Sequence, residues 1–259
     1  MNYFLVFLTI FILCSGCAQE QSAQEEVSEA TPPPAELSEV EQYFQAHVQD
    51  SLPGISRGAV HSGSLVNGTV VPFAGENFIY FDTSSYLAGR AHTRPDVSAS
   101  IQEAYAAMKT LSDHRFVLME LSLPEGGEIM PHRTHQNGLS ADFMTPLLRK
   151  NVRFTDLDLE GAPHYLLDFD AQGRWTEDAE VHIDFDLVAA HLLALQKAAK
   201  KHKLKIQKVI WKMELRDELY TTPNGKELAK SGIYITQNLT PLINRLHDDH
   251  YHVDFEVIP

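Results

Sequence analysis

Two short stretches of this chain concentrate the residues able to do chemistry. Residues 131–143 read PHRTHQNGLSADF and hold His132, His135 and Asp142, and residues 247–255 read HDDHYHVDF and hold His247, His250 and His252. Five of the thirteen histidines fall in these two segments, which points to one shared site. Imidazole and carboxylate are standard ligands of a divalent metal. Three such ligands with one position left open form the usual catalytic zinc site.

The elements that would position these groups follow from local pattern. As a strand, HYHVDF alternates its faces, with His250, His252 and Asp254 on one side and Tyr251, Val253 and Phe255 in a core. Two histidines on one strand face can share a metal environment, one as ligand and one beside the attacking water. His247 falls at the end of the preceding helix or in the turn after it. In the first segment, Asn137-Gly138 is a turn dipeptide, because glycine accepts the positive φ that tight turns need. The chain can fold back there, bringing His135 and Asp142 towards one point as co-ligands. Leu139 to Phe143 then reads as a short strand with Asp142 facing away from Ala141 and Phe143. Either histidine pair alone would read as a surface pair, so the metal reading rests on their combination.

The pattern H-x-x-H-Q-x-G-L-x-x-D (His132, His135, Gln136, Gly138, Leu139, Asp142), followed by H-x-x-H-x-H-V (His247, His250, His252, Val253), resembles the penicillin-insensitive murein endopeptidases. These belong to the wider group of lysostaphin-type, D-Ala-D-Ala-type and hedgehog-like zinc peptidases. The LPEGG of residues 123–127 is similar to the family's glycine turn before the first motif, and the resemblance spans roughly residues 55–257. It implies an α+β domain, with a central antiparallel sheet carrying a zinc site and helices at its flanks. It also implies Zn2+ held by His135, Asp142 and His252, with His250 as general base and later general acid. His132 and His247 would assist catalysis or hold substrate. The implied substrate is the peptide cross-link of peptidoglycan stem peptides, between D-Ala and a diamino acid. Three departures bear on specificity more than on zinc. Ser140 stands where the family has an acidic residue, Asp254 where a basic one is common, and the cysteines of enterobacterial members are missing. A carboxylate at position 254 could alter substrate preference or act as a partner behind a ligand.

The start of the chain has a different character. Residues 1–17 are apolar and uncharged and end Cys14-Ser15-Gly16-Cys17, similar to a bacterial lipobox, which would put a lipid on Cys17. An ordinary cleaved leader is the alternative. Residues 18–38, AQEQSAQEEVSEATPPPAELS, have no basic or aromatic residue and read as an acidic, disordered tether. Residues 39–259 are the right length for one domain. Both cysteines lie in the leader, so the domain has neither a disulfide nor a thiolate. A net charge of −14 with no basic stripe argues against nucleic acid. The expected location is exported, in the periplasm or cell envelope.

Within the domain, spacing predicts helices over 37–51, 95–111, 185–202 and 238–247, and strands over 77–82, 116–123, 139–143 and 206–215. Residues 221–225, TTPNG, read as a turn. Residues 151–183 carry no clear pattern and suit groove walls, with His164 and His182 as packing or surface histidines. Glu214 reads as an exposed charge that could also sit behind the site. Three rivals to an endopeptidase are compatible with this chain: an inactive zinc-containing binding module, a structural envelope lipoprotein without metal, and a zinc carboxypeptidase trimming stem peptides.

Overall fold

The computed structural model describes residues 37–259; the expected leader, the lipidated Cys17 and the acidic tether up to residue 36 lie outside the described residues. The first helix, α1 (Glu39–His47), starts at a capping box. Ser38 Oγ accepts the Glu41 N–H at 3.4 Å, and the Glu41 carboxylate takes the Ser38 N–H at 2.8 Å. The helix stops short of Ser51 because tertiary partners capture the chain. Gln49 donates its N–H to Thr69 Oγ1 at 3.0 Å and its side-chain amide to Asn67 O at 2.6 Å.

A glycine- and serine-rich stretch next forms a hairpin, β1 (Ile55–Ala59) with β2 (Ser62–Val66), followed by β3 (Thr69–Val70). Then come β4 (Phe78–Tyr80), α2 (Thr83–Leu87), β5 (His92–Thr93), α3 (Pro95–Met108) and β6 (Phe116–Leu118). Pro95 opens α3, where its missing N–H has no helical partner to lose. Val97, Ile101, Tyr105 and Met108 are buried along α3 as their spacing predicts. The first motif leads into β7 (Ser140–Met144), then β8 (Leu147–Arg149) and β9 (Val152–Phe154). After a short 3-10 helix (Ala162–Leu166), β10 (Val181–Ile183) completes a small antiparallel sheet with β8 and β9. The long α4 (Phe185–Lys201) buries Val188, Leu192, Leu195 and Ala199, again on the predicted stripe. The chain ends with β11 (Leu204–Ile210), α5 (Leu215–Thr221), α6 (Pro223–Leu228), α7 (Pro241–Arg245) and β12 (His250–Val257).

Further expectations are corrected, the first being that the strand predicted over 116–123 ends at Leu118. The strand predicted over 206–215 ends at Ile210. Beyond it, the Lys212 N–H donates to His247 O at 2.6 Å, and Lys212 Nζ pairs with Asp248 at 3.0 Å, so the chain turns to latch the second motif. Residues 221–225 are not a simple turn. Thr222 caps α6 by accepting the Gly225 N–H, Pro223 occupies its first turn, and Asn224 bonds Asp186 of α4 twice at 2.8 Å. Turn chemistry and helix-start chemistry use the same residues, and docking on α4 selects the helix.

The central sheet runs β11-β12-β7-β6-β4. Its neighbours are antiparallel except β4 and β6, which are parallel and joined by a crossover that includes α3. One face of β7 and β12 packs on α3 and α4. There Tyr251 stacks on Phe143 with centroids 5.5 Å apart, and its hydroxyl meets His191 Nδ1 at 2.7 Å. The opposite face carries Asp142, His250 and His252. The fold is therefore the expected α+β domain on a mainly antiparallel sheet.

One buried carboxyl outside this sheet yields a stability prediction. Asp158 is 7% exposed, and burial pushes its pKa up to about 7, against a smaller opposing pull from Arg153. The unfolded chain releases that proton near pH 4, so folding takes up a proton between about pH 4 and 7, and the contribution to stability is fully present only below about pH 4. The advantage is lost as pH rises to about 7. Asp158→Asn is expected to raise stability at pH 8 by about 2–4 kcal/mol and to change it little at pH 4. Urea unfolding at the two pH values measures this; an equal effect at both would refute it.

Candidate metal centre

The glycine turn expected ahead of the first motif is present and touches it. Gly126 has φ +71°, and a Cβ there would lie 2.2 Å from Gln136 O, so only glycine fits. The next residue, Gly127, donates its N–H to the same carbonyl at 2.9 Å. Outer strands pin the loop that follows. The Gln136 N–H reaches Val60 O at 2.9 Å, Ser56 Oγ bonds Asn137 O at 2.6 Å, and Thr93 Oγ1 bonds Gly138 O at 2.8 Å. These contacts hold His135 at φ +68°, a left-handed conformation costly for a residue with a Cβ.

The sheet supplies the remaining geometry. Asp142 of β7 and His252 of β12 are directly opposite in the strand register, with Asp142 Oδ1 2.8 Å from His252 Nδ1. His135 closes over the pair, its Nε2 3.1 Å from His252 Nδ1 and 3.3 Å from Asp142 Oδ1. All three side chains are essentially inaccessible to solvent. Three lone-pair-bearing atoms thus face one another, while Asp142 Oδ2 and His135 Nδ1 are buried without a hydrogen-bond partner.

Such a cluster needs positive charge. Burial opposes ionising His252, yet Asp254 and Asp142 outweigh it and raise its pKa to about 10. Burial likewise disfavours the Asp142 carboxylate, but His135 and His252 hold its pKa well below the usual carboxylate range. The three edges are near the ~3.3 Å between ligands on a tetrahedral ion with bonds of about 2.0–2.1 Å. The donor set therefore fits zinc.

A second trio overlaps the first. The ligand atoms of His132, His135 and Asp142 lie within 4.8 Å of one another. His132 is the looser member, with Nδ1 3.5 Å from Asp142 Oδ2 and Nε2 bonded to Glu120. The trio with His252 is the tighter, and its atoms have no stronger partner outside the cluster.

Around this centre stand the other predicted histidines. His250 Nδ1 is 2.6 Å from Asp249 Oδ1, and its Nε2 faces inward, 4.0 Å from Asp142 Oδ2. Burial lowers the His250 pKa, but Asp249 and then Asp142 more than offset it, so the net shift is upward. His247 follows α7, as expected, with Nδ1 bonded to Ile243 O at 2.7 Å and its ring 4.9 Å from His250. Burial, then His250 and His252, push its pKa down to about 3. It is therefore neutral, with Nδ1 as donor and Nε2 left as an acceptor.

Pattern reading missed Glu120, Arg90, Asp249 and Tyr165. Glu120 braces His132 and is held by Arg90 Nη2 at 2.7 Å, and that guanidinium also bonds Met130 O at 2.8 Å. Burial would raise the Glu120 pKa, but His132 and Arg90 bring it down to about 2. A lone acid inside the apolar run FVLMELSL was a usable signal. Asp249 orients His250, and the doubled acid before HYH could have marked it. Tyr165, in the patternless stretch, sets its ring edge-on to His250 with centroids 5.0 Å apart, and 5.7 Å from His132. No sequence signal singled it out. His164 is a packing histidine, buried with Nε2 3.3 Å from Asp249 O. Glu214 is exposed and bonds Asn244 at 2.8 Å, away from the cluster's own contacts.

Glu120→Gln tests the brace on His132. Its expected result is an activity loss of about 10-fold with metal content unchanged, the size typical of a supporting partner; loss of the metal would instead make Glu120 part of the binding frame. A comparison with curated proteins found no match. A family model described as penicillin-insensitive murein endopeptidase matches residues 56–257.

Proposed function

The chain belongs to the penicillin-insensitive murein endopeptidase family, and from that membership and the cluster's geometry we propose that it is a zinc peptidase cutting peptidoglycan cross-links between D-Ala and a diamino acid. The family implies a peptidase acting on peptidoglycan, located in the periplasm or cell envelope. The reading of zinc rests on one observation: His135 Nε2, Asp142 Oδ1 and His252 Nδ1 face one another at 2.8–3.3 Å, buried. These three residues are the proposed ligands.

When bound, zinc supplies a Lewis acid that polarises the scissile carbonyl and makes water nucleophilic near neutral pH. The chain's own groups supply the rest. Asp249 holds the Nδ1 side of His250, leaving Nε2 free to take the proton of the attacking water and return it to the leaving amine. His132, fixed by Glu120, presents Nδ1 on the same side as Asp142 and is placed to steady the reacting oxygen. Neutral His247 has no free donor, so its part is to accept a proton-bearing group of the water or substrate. Tyr165 walls the site beside His250 and His132.

The proposal extends to the rest of the chain. Residues 1–17 act as a lipoprotein-type leader and Cys17 carries the lipid. Residues 18–38 form the tether, and residues 39–259 form the peptidase domain. An acidic tether behind a membrane anchor would let the domain search nearby polymer.

The test is digestion of purified sacculi followed by muropeptide profiling. Wild-type protein loaded with zinc is expected to convert cross-linked dimers to monomers. Unchanged dimers would refute the endopeptidase, and shortened stem peptides without dimer loss would assign a carboxypeptidase instead.

A further inference from the structure

The far side of His252 is as closely built as the near side. Its Nε2 lies 2.8 Å from Asp254 Oδ1, and the Ser140 hydroxyl donates to that same oxygen at 2.6 Å. Lys208 Nζ forms an ion pair with Asp254 Oδ2 at 3.0 Å. Asp254 is 0% exposed, whereas the Lys208 side chain is 32% exposed and reaches in from the edge strand. Strand register produces the arrangement. On β12, Asp254 follows His252 by two positions and shares its face, while Ser140 of β7 and Lys208 of β11 are its direct neighbours on either side.

We propose that Asp254 is a positioning residue that fixes the tautomer and ring orientation of His252, so that Nδ1 presents its lone pair to the metal. This rests on the zinc reading above. An imidazole next to a carboxylate has two choices. If Nδ1 carries the ring proton, it bonds Asp142 at 2.8 Å and cannot act as a ligand. Asp254 offers only acceptors, so it draws the proton to Nε2 and leaves Nδ1 as the lone pair. Ser140 spends its one hydroxyl hydrogen on Asp254 and so keeps the carboxylate from swinging away. Lys208 compensates a buried negative charge that would otherwise be costly to desolvate. Nothing about packing demands a carboxylate here. A fully buried acid beside a ligand's second nitrogen is explained by what it does to that ligand.

The experiment measures zinc affinity of the purified protein by competition with a chromophoric chelator, for wild type, D254N and the double variant S140D/D254S. Proton NMR of the zinc-loaded proteins follows the His252 Nε2–H, which a buried carboxylate should shift downfield and protect from exchange. D254N is expected to bind zinc about 10–100-fold more weakly and to lose that resonance. Because positions 140 and 254 face each other across the ladder, S140D/D254S moves the carboxylate one strand over and should recover most of the affinity. A merely structural residue would show neither the lost resonance nor the rescue. If D254N does not fold, D254N/K208M removes both buried charges and serves in its place. Equal affinity in wild type and the Asn variant would overturn the positioning role while leaving the zinc site standing. A wild type that binds no zinc would overturn the metal reading itself, and this inference with it.

Discussion

Asp142→Ala is expected to lower cross-link hydrolysis by at least about 10³-fold, which corresponds to about 4 kcal/mol of lost transition-state stabilisation. Asp142 lies opposite His252 in the ladder, and its Oδ1 is within 3.3 Å of both proposed histidine ligands. Its removal takes away one ligand and, among the described residues, the carboxylate that faces both imidazoles. A second readout is independent of activity. A ligand bound only by the folded state stabilises it by RT ln(1 + [L]/Kd), about 4 kcal/mol at a thousandfold excess over Kd. Zinc should therefore raise the unfolding midpoint of wild-type protein and leave that of Asp142→Ala unmoved. Equal zinc-induced stabilisation of the two proteins would place the ion elsewhere.

His250→Ala should remove hydrolysis without removing zinc. Its Nε2 is 4.0 Å from Asp142 Oδ2, wider than the 2.8–3.3 Å spacings within the proposed ligand trio, and its Nδ1 is committed to Asp249 at 2.6 Å. That geometry suits a proton carrier next to the metal. General acid–base groups typically contribute about 10²–10⁴-fold, so kcat should fall by that factor while KM and zinc content stay near wild type. The ring is fully buried and Tyr165 packs edge-on to it, so His250→Gln serves as a check that a collapsed site is not responsible. Loss of zinc from both variants would move His250 into the ligand set in place of one of the three proposed ligands.

Much of this was legible in local pattern. The buried stripes of α3 and α4, the alternation of β12 and the positive φ of Gly138 are properties of short segments. The physics that sets them, helix and strand period and the steric freedom of glycine, acts within a few residues. Where local pattern failed, two outcomes shared one local chemistry. Thr222-Pro223-Asn224-Gly225 satisfies a turn and a helix start equally well, and the bonds from Asn224 to Asp186 decide between them. The predicted strand beyond Ile210 gives way because Lys212 is needed to hold Asp248 and the His247 carbonyl.

The amino-acid sequence by itself determined which side chains are available for chemistry and, through the spacing of two motifs, that imidazoles and a carboxylate would share a strand face or a turn. Only the tertiary structure decided how they meet. Asp142 stands opposite His252, Glu120 stands behind His132 and Asp254 behind His252 through the register of β6, β7 and β12. Register is set by pairing between segments as far apart as residues 140 and 254, and a shift of one residue would turn every one of these groups to the opposite face. Composition and spacing carry no record of that choice, because it is made by the packing of the whole sheet against α3 and α4.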